Sequence, residues 1–364
     1  MNRYILRKEN FGGLLFDRKA CEIKLVDDNE FDGAAGNVDI IMRENKGFST
    51  LSAPTRVFLV LTKKCNLHCV HCSNSSGSSR VELLEYKEIE SILSQFVEMG
   101  VFEIAINGGE PLCHPNFFGI ISLVKEKGFP IYLNTNGVCS WRNLVKLSES
   151  GVENIKVSID GLEGAHDAIR GKGTFKKAVA SIIYLKEKNN VRINFTLTKK
   201  NKDNVFGVIK LADELGCDLK IAPMVKVGRA KSLTEPEFLI EEGIEISRQV
   251  ADFCKDSDIK IKVEKASDLT AKHCPEIIEE FHYQYTECGI RRTHMSVDSD
   301  GSIYATGRQT DFEREGAIGN IREESIKQLW DKIKIMNEVV KNGCDKCENS
   351  QAESLLIESF KTQS

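Results

Sequence analysis

From residue 56 onward, two kinds of apolar pattern alternate along the chain. Short β-branched runs, RVFLVLT (56–62), VFEIAI (101–106), PIYLNTNG (130–137), VENIKVSID (152–160), VRINFTLT (191–198) and CDLKIAPMV (217–225), read as strands. Between them lie segments with apolar residues at helical spacing, several closed by a glycine: LLEYKEIESILSQFVEMG (83–100), FFGIISLVKEKG (117–128), LVKLSESG (144–151), FKKAVASIIYLKEKNN (175–190) and NVFGVIKLADELG (204–216). Strands and helices in strict alternation predict an α/β unit on a parallel sheet with right-handed crossovers. Six such repeats suit a partial (β/α)6 barrel better than a closed eight-fold one, and they place it at residues 51–232. In sheets of this kind the chemistry gathers at the C-terminal strand ends. At those ends lie a cysteine loop after strand one, NGGEP after strand two, NTNG after strand three and SIDG at the end of strand four.

Past residue 232 the rhythm breaks. FLIEEGIEISRQVADFC (238–254) reads as a helix, IKIKVE (259–264) as a strand and THMSVDSDGSIYAT (293–306) as a hairpin turning on Asp-Ser-Asp-Gly. ESIKQLWDKIKIMNEVVKNG (324–343) is a helix that runs into Cys344 and Cys347, so residues 233–364 form a separate, cysteine-bearing region. At the other end, residues 1–50 contain one or two hairpins within 4–30.

Composition narrows the function classes. The 50 basic and 54 acidic residues nearly cancel, which leaves no electrostatic footprint for nucleic acid or an anionic membrane. No secretory h-region opens the chain and no apolar run reaches the ~20 residues of a membrane span, so a cytoplasmic location is expected. Twelve cysteines are many for a reducing compartment, and the clustered ones read as ligands rather than disulfides. Isolated Cys21, Cys113, Cys139, Cys217 and Cys254 read as small buried hydrophobes.

Cys65, Cys69 and Cys72 stand within eight residues in LTKKCNLHCVHC. Three thiolates with His68 or His71 could make a zinc knuckle. Three thiolates on a four-iron cluster would instead leave one iron open to a small chelating molecule. The Cys-x3-Cys-x2-Cys spacing, together with the other strand-end motifs, resembles the signature of the radical S-adenosylmethionine (SAM) enzymes over residues 56–225. The resemblance implies a [4Fe-4S] cluster on Cys65, Cys69 and Cys72, with SAM on the open iron. It implies that Gly108, Gly109, Glu110 and Pro111 meet the methionine end of SAM, the glycines letting backbone carbonyls approach and Glu110 accepting from the ammonium. It further implies Ser158 at the ribose or carboxylate, Arg170 at the SAM carboxylate, His71 near adenine, and Asn136 and Asp160 on the same rim.

Cys288 is followed by twelve residues, Gly301, four more and Thr306, and the chain continues with GNIREESIKQLWD and CDKC. This resembles a SPASM or twitch extension in which Thr306 and Glu353 replace two expected cysteines. It implies one auxiliary [4Fe-4S] cluster on Cys288, Cys344 and Cys347, with Cys274 or an exogenous group as fourth ligand. The resemblance also implies a peptide or small-protein substrate, an electron donor such as flavodoxin or ferredoxin, and, in residues 4–30, something like a leader-peptide recognition element. Tetrapyrrole-precursor maturation and a non-catalytic iron–sulfur or zinc protein are the alternative readings. The residues assign no catalytic acid, base or hydrogen donor.

Overall fold

The computed structural model describes residues 2–9, 12–32, 38–42, 51–234, 236, 240–265, 293–305 and 316–341. Two sheets organise them. The smaller has the order β3-β2-β1-β4. Strands β1 (Tyr4–Glu9), β2 (Gly12–Asp17) and β3 (Glu22–Val26) form an antiparallel meander. A single helical turn, α1 (Asp28–Asp32), leads to β4 (Val38–Ile41), which returns parallel to β1.

The larger sheet begins as the alternating repeat predicts. Strands β5 (Arg56–Val60), β6 (Glu103–Asn107), β7 (Ile131–Thr135), β8 (Asn154–Ser158), β9 (Asn190–Leu197) and β10 (Leu219–Pro223) are parallel neighbours in chain order. Between them run α2 (Tyr86–Met99), α3 (Phe117–Glu126), α4 (Trp141–Glu149), α5 (Glu163–Arg170), α6 (Thr174–Leu185) and α7 (Val205–Leu215). This is the partial (β/α)6 barrel. Helix α2 shows how local sequence sets an element: the Glu88 carboxylate accepts the Glu85 N–H at 2.7 Å at its start, and Gly100 ends it in a left-handed conformation at φ 70°. Helix α5 was not anticipated. It is two turns long and mostly polar, burying only His166 and Ile169, so its periodicity is weak.

The sheet also grows at both margins. After α8 (Ile240–Asp256), β11 (Val263–Lys265) adds in parallel to β10. At the other margin β12 (His294–Val297) adds in parallel to β5, and β13 (Ser302–Tyr304) and β14 (Gly319–Asn320) follow antiparallel, before α9 (Ile326–Lys341). The hairpin was expected; its pairing with β5 was not. It satisfies the otherwise open edge of the first barrel strand, and the Thr55 N–H starts the join by donating to the Thr293 carbonyl at 2.7 Å.

One apolar core lies between the parallel strands and the helices, and takes in Ile326, Leu329, Trp330 and Ile333 of α9. The small sheet packs where the barrel strands begin. Phe16 stacks on Phe102 with ring centroids 5.0 Å apart. Arg7, fully buried, pairs with Glu9 at 2.8 Å and donates to the carbonyls of Gly100 (2.8 Å) and Pro54 (3.1 Å). No described helix is long and apolar enough to cross a membrane.

Candidate active site

The cysteine loop sits at the C-terminal end of β5 and is held by backbone on three sides. Gly109 donates to the Thr62 carbonyl (2.7 Å) and Glu110 to the Lys64 carbonyl (2.9 Å), which docks the NGGEP turn onto the start of the loop. A Cβ on Gly108 would come within 2.8 Å of the Thr62 carbonyl oxygen, and one on Gly109 within 2.5 Å of that of Lys64. The two glycines therefore let the turn pack closely against the loop. The far side is fastened by two residues that the sequence did not single out. Arg229 donates from its backbone to the Cys72 carbonyl (2.9 Å), from Nε to that of Cys69 (2.8 Å) and from Nη2 to that of Ser76 (2.7 Å). Gly228, at φ 57°, has no room for a Cβ, which would lie 2.1 Å from the Ser73 carbonyl oxygen.

Cys65 and Cys69 are buried, Cys72 is half-buried, and all three are free thiols. Burial pushes the Cys65 thiol up to about 12 and raises that of Cys69. Thiols so placed stay protonated until a metal displaces the proton. Among the described residues no three His, Cys, Asp or Glu side chains converge on a point where one metal ion could sit. His71 Nε2 is taken by Asp160 Oδ2 at 2.7 Å. Three thiols that do not converge on one point fit a cluster, whose thiolates stand on separate irons.

Glu110 lies fully buried at the turn after β6. Its Oε1 accepts from Thr135 Oγ1 (2.8 Å) and the Leu112 N–H (3.3 Å), and its Oε2 from the Asn136 N–H (2.8 Å). Burial nevertheless pushes its pKa up to about 7, outweighing these neutral donors and the more distant charge of Arg170. Pro111 opens the short 3-10 turn Pro111–Cys113 that follows. Asn136, buried at the end of β7, ties Glu110 to the cysteine loop: its Nδ2 donates to Asn66 Oδ1 (2.9 Å) and lies 3.8 Å from Cys65 Sγ.

Asp160 forms the second hub. Its Oδ2 accepts from Arg170 Nε (2.5 Å) and meets His71 Nε2, and its Oδ1 accepts the Thr196 N–H (2.8 Å). Burial opposes its ionisation, but the facing Arg170 and His71 outweigh it and hold the carboxyl well below the usual range. Arg170 Nη1 lies 4.0 Å from Cys69 Sγ. Asn201, also missed in the sequence, braces this hub by donating to the Asp160 and Thr196 carbonyls, both at 2.9 Å. His71 Nδ1 is buried without a partner among the described residues. Beside His71 lies a small cleft, with room for little more than a water molecule, lined by Val70, Ile169, Thr198, Lys200, Met224 and Leu233. Ser158 stands half-buried at the end of β8.

The rim thus brings together three thiols, a buried carboxylate hydrogen-bonded only to neutral donors, and an imidazole nitrogen unpartnered among the described residues beside a small cleft. That set fits a cluster plus a cationic nucleoside. Cys274, Cys288, Thr306, Cys344, Cys347 and Glu353 lie outside the described residues.

Known proteins bear on this arrangement. The family described as "Radical SAM superfamily" matches residues 59–214, and an "Iron-sulfur cluster-binding domain", SPASM, matches residues 288–349. The AdoMet-dependent heme synthase of Methanosarcina barkeri is 27% identical over 82% of this chain and 89% of its own length. The mycofactocin maturase MftC of Mycolicibacterium smegmatis is 27% identical over 70% of this chain and 64% of its own. In fold the chain resembles Streptococcus suis SuiB, solved with S-adenosylmethionine, at TM-score 0.75, 17% identity and coverage of 91% of this chain and 87% of that one. Residues 59–214 are thus a radical SAM domain, which binds a [4Fe-4S] cluster and S-adenosylmethionine, and residues 288–349 match the SPASM domain, which binds auxiliary iron–sulfur clusters; over these segments the chain is similar to radical SAM enzymes of the SPASM type.

Proposed function

We propose that this enzyme matures a ribosomal peptide or small protein, altering a side chain by crosslinking, oxidation or a related step that begins with hydrogen abstraction. Cys65, Cys69 and Cys72 hold the catalytic cluster, and SAM bound there supplies a 5′-deoxyadenosyl radical by one-electron cleavage. The rest of the rim binds and orients. Glu110 accepts the ligand's ammonium, a full cation that its burial leaves wanting. Arg170, steered by Asp160 through Nε, presents the remainder of its guanidinium to the carboxylate. Ser158 meets ribose or carboxylate, and His71 lies near adenine. Asn136 fixes Glu110 against the loop. A single auxiliary cluster falls to Cys288, Cys344 and Cys347, with Cys274 or an exogenous fourth ligand, and flavodoxin or ferredoxin delivers the electron.

The observation that carries the peptide reading is the N-terminal sheet. Its margins, β3 and β4, carry exposed Ile23 and Ile40, each on a strand with one neighbour in the described sheet. Such edges can take an extended peptide by strand addition. SuiB, of similar fold, has also been solved with its precursor peptide SuiA. Tetrapyrrole side-chain chemistry has its own support in the long match to the heme synthase. The test is anaerobic turnover with SAM and reductant against short peptides encoded beside the gene and, separately, coproporphyrin. A peptide mass change matched mole for mole by 5′-deoxyadenosine supports the proposal. Porphyrin decarboxylation with unaltered peptides contradicts it.

A further inference from the structure

Strand alternation gives β8 two faces. Ile155 and Val157 pack in the apolar core against the helices, so Lys156 between them faces the barrel interior. The charges acting on its amine confirm that direction, for they come from Arg56 on β5, Arg192 on β9, Lys220 on β10 and Glu264 on β11. Lys156 acts in turn on Glu103 of β6. Strands spread so far along the sheet meet one side chain only across the lumen. Ser158, two residues on and on the same face, stands at the rim above it, about 7 Å along the strand. Below, Cys21 of the β2–β3 turn, half-buried, reaches Tyr132 and Glu103.

Most charge around Lys156 is already matched. Arg56 pairs with Glu103 and lies over the Tyr132 ring, 4.4 Å from its centroid. Arg192 pairs with Glu264 at 3.3 Å and Asp218 at 3.7 Å. Lys156 has no hydrogen bond or ion pair among the described residues. Burial first, then the neighbouring Lys220 and Arg56, push its pKa down to about 7. An amine whose nearby anions, Glu103 and Glu264, already pair with Arg56 and Arg192 is unfavourable to the empty fold and gains most when a further anion arrives. These side chains lie on the lumen face, beneath the rim where the radical is expected to form.

We infer that Lys156 anchors a carboxylate of the substrate, which enters the lumen past Ser158. The inference rests on the proposed enzymatic reading and narrows its substrate to an acidic one. Two sources share this chemistry, an Asp or Glu side chain of a peptide and a propionate of a tetrapyrrole.

Brief acetylation of the intact holoenzyme, with Lys156 read by mass spectrometry, tests it. The probes are a glutamate-bearing pentapeptide and its glutamine twin, and coproporphyrin and its methyl ester. One acidic probe should suppress labelling of Lys156 about tenfold more than its neutral twin does, and the responding pair identifies the source. K156M should weaken binding of that probe about tenfold, and K156R should keep most of it, as expected for one charged hydrogen bond. Equal or absent protection within both pairs, or unaltered affinity in K156M, overturns the inference. Release of 5′-deoxyadenosine by the wild-type enzyme without a probe is measured alongside. Its loss would count against the enzymatic reading, independently of the lysine.

Discussion

The barrel buries an ion pair at each end, and the two are built differently. At the base, Glu9 has both oxygens occupied: Oε1 by Arg7 Nε (2.8 Å) and Ser52 Oγ (2.9 Å), Oε2 by the Ser52 N–H (2.8 Å). The pair locks the N-terminal sheet to the barrel through the Gly100 and Pro54 carbonyls, and its carboxylate is satisfied by the protein itself. At the rim, Asp160 binds Arg170 and His71, but around it stand free thiols, a carboxylate hydrogen-bonded only to neutral donors and an imidazole nitrogen unpartnered among the described residues. Buried polar groups that the protein satisfies serve the fold. Those it leaves open await a ligand.

Breaking the two ends should therefore give opposite phenotypes. The largest effect is at the rim: replacing Cys65, Cys69 and Cys72 together with Ala should reduce 5′-deoxyadenosine formation to background and remove about four irons per chain while the auxiliary iron remains, measured by product and metal analysis. At the base, Arg7→Met strands Glu9 in the interior and should cost about 3–5 kcal/mol of stability, read by denaturant unfolding, with SAM affinity in the surviving folded protein unaltered. Asp160→Asn sharpens the contrast. It should weaken SAM binding by about 10–100-fold in equilibrium dialysis, as losing charged hydrogen bonds that orient Arg170 would. Unaltered SAM affinity would make that hub as purely structural as the base pair.

Arg229→Ala tests the clamp. With the bonds to the Cys69 and Ser76 carbonyls gone, the loop should release iron to a chelator faster by about tenfold. The smallest effect concerns pH. Lys156 titrates near 7 when folded, below its usual 10.5, so the unfolded chain binds more protons between those values. Stability should then rise with pH from 7 to 9, by up to about 1 kcal/mol per unit. In Lys156→Met this part of the slope should vanish, as followed by thermal unfolding.

The sequence disclosed the rim far better than what braces it. Apolar runs alternating with helical periods located six parallel strands, and motifs at strand ends can be read because each lies in one short segment. Cys65, Cys69, Cys72, Glu110, Asn136, Asp160 and Arg170 all come together there. What escaped notice is non-local. Arg229 meets the Cys69 carbonyl from 160 residues away, and β12 reaches β5 across more than two hundred. Local patterns carry no record of such pairings. Arg7 and Glu9 look like solvent-facing charges in an alternating strand, yet both side chains are fully buried against the barrel. The reason for Gly108 and Gly109, a clash with the 62–64 carbonyls, likewise emerged only with the loop in place.

The account depends on the rim thiols holding a four-iron cluster with one iron left for SAM. The most direct measurement is electron paramagnetic resonance of the anaerobically reduced enzyme before and after adding SAM, with the auxiliary ligands Cys288, Cys344 and Cys347 replaced by Ala so that one cluster remains. The account predicts a reduced [4Fe-4S] signal that shifts on SAM addition and disappears when Cys65, Cys69 and Cys72 are also replaced. A signal indifferent to SAM, or a single zinc ion at these cysteines with no signal at all, would contradict it.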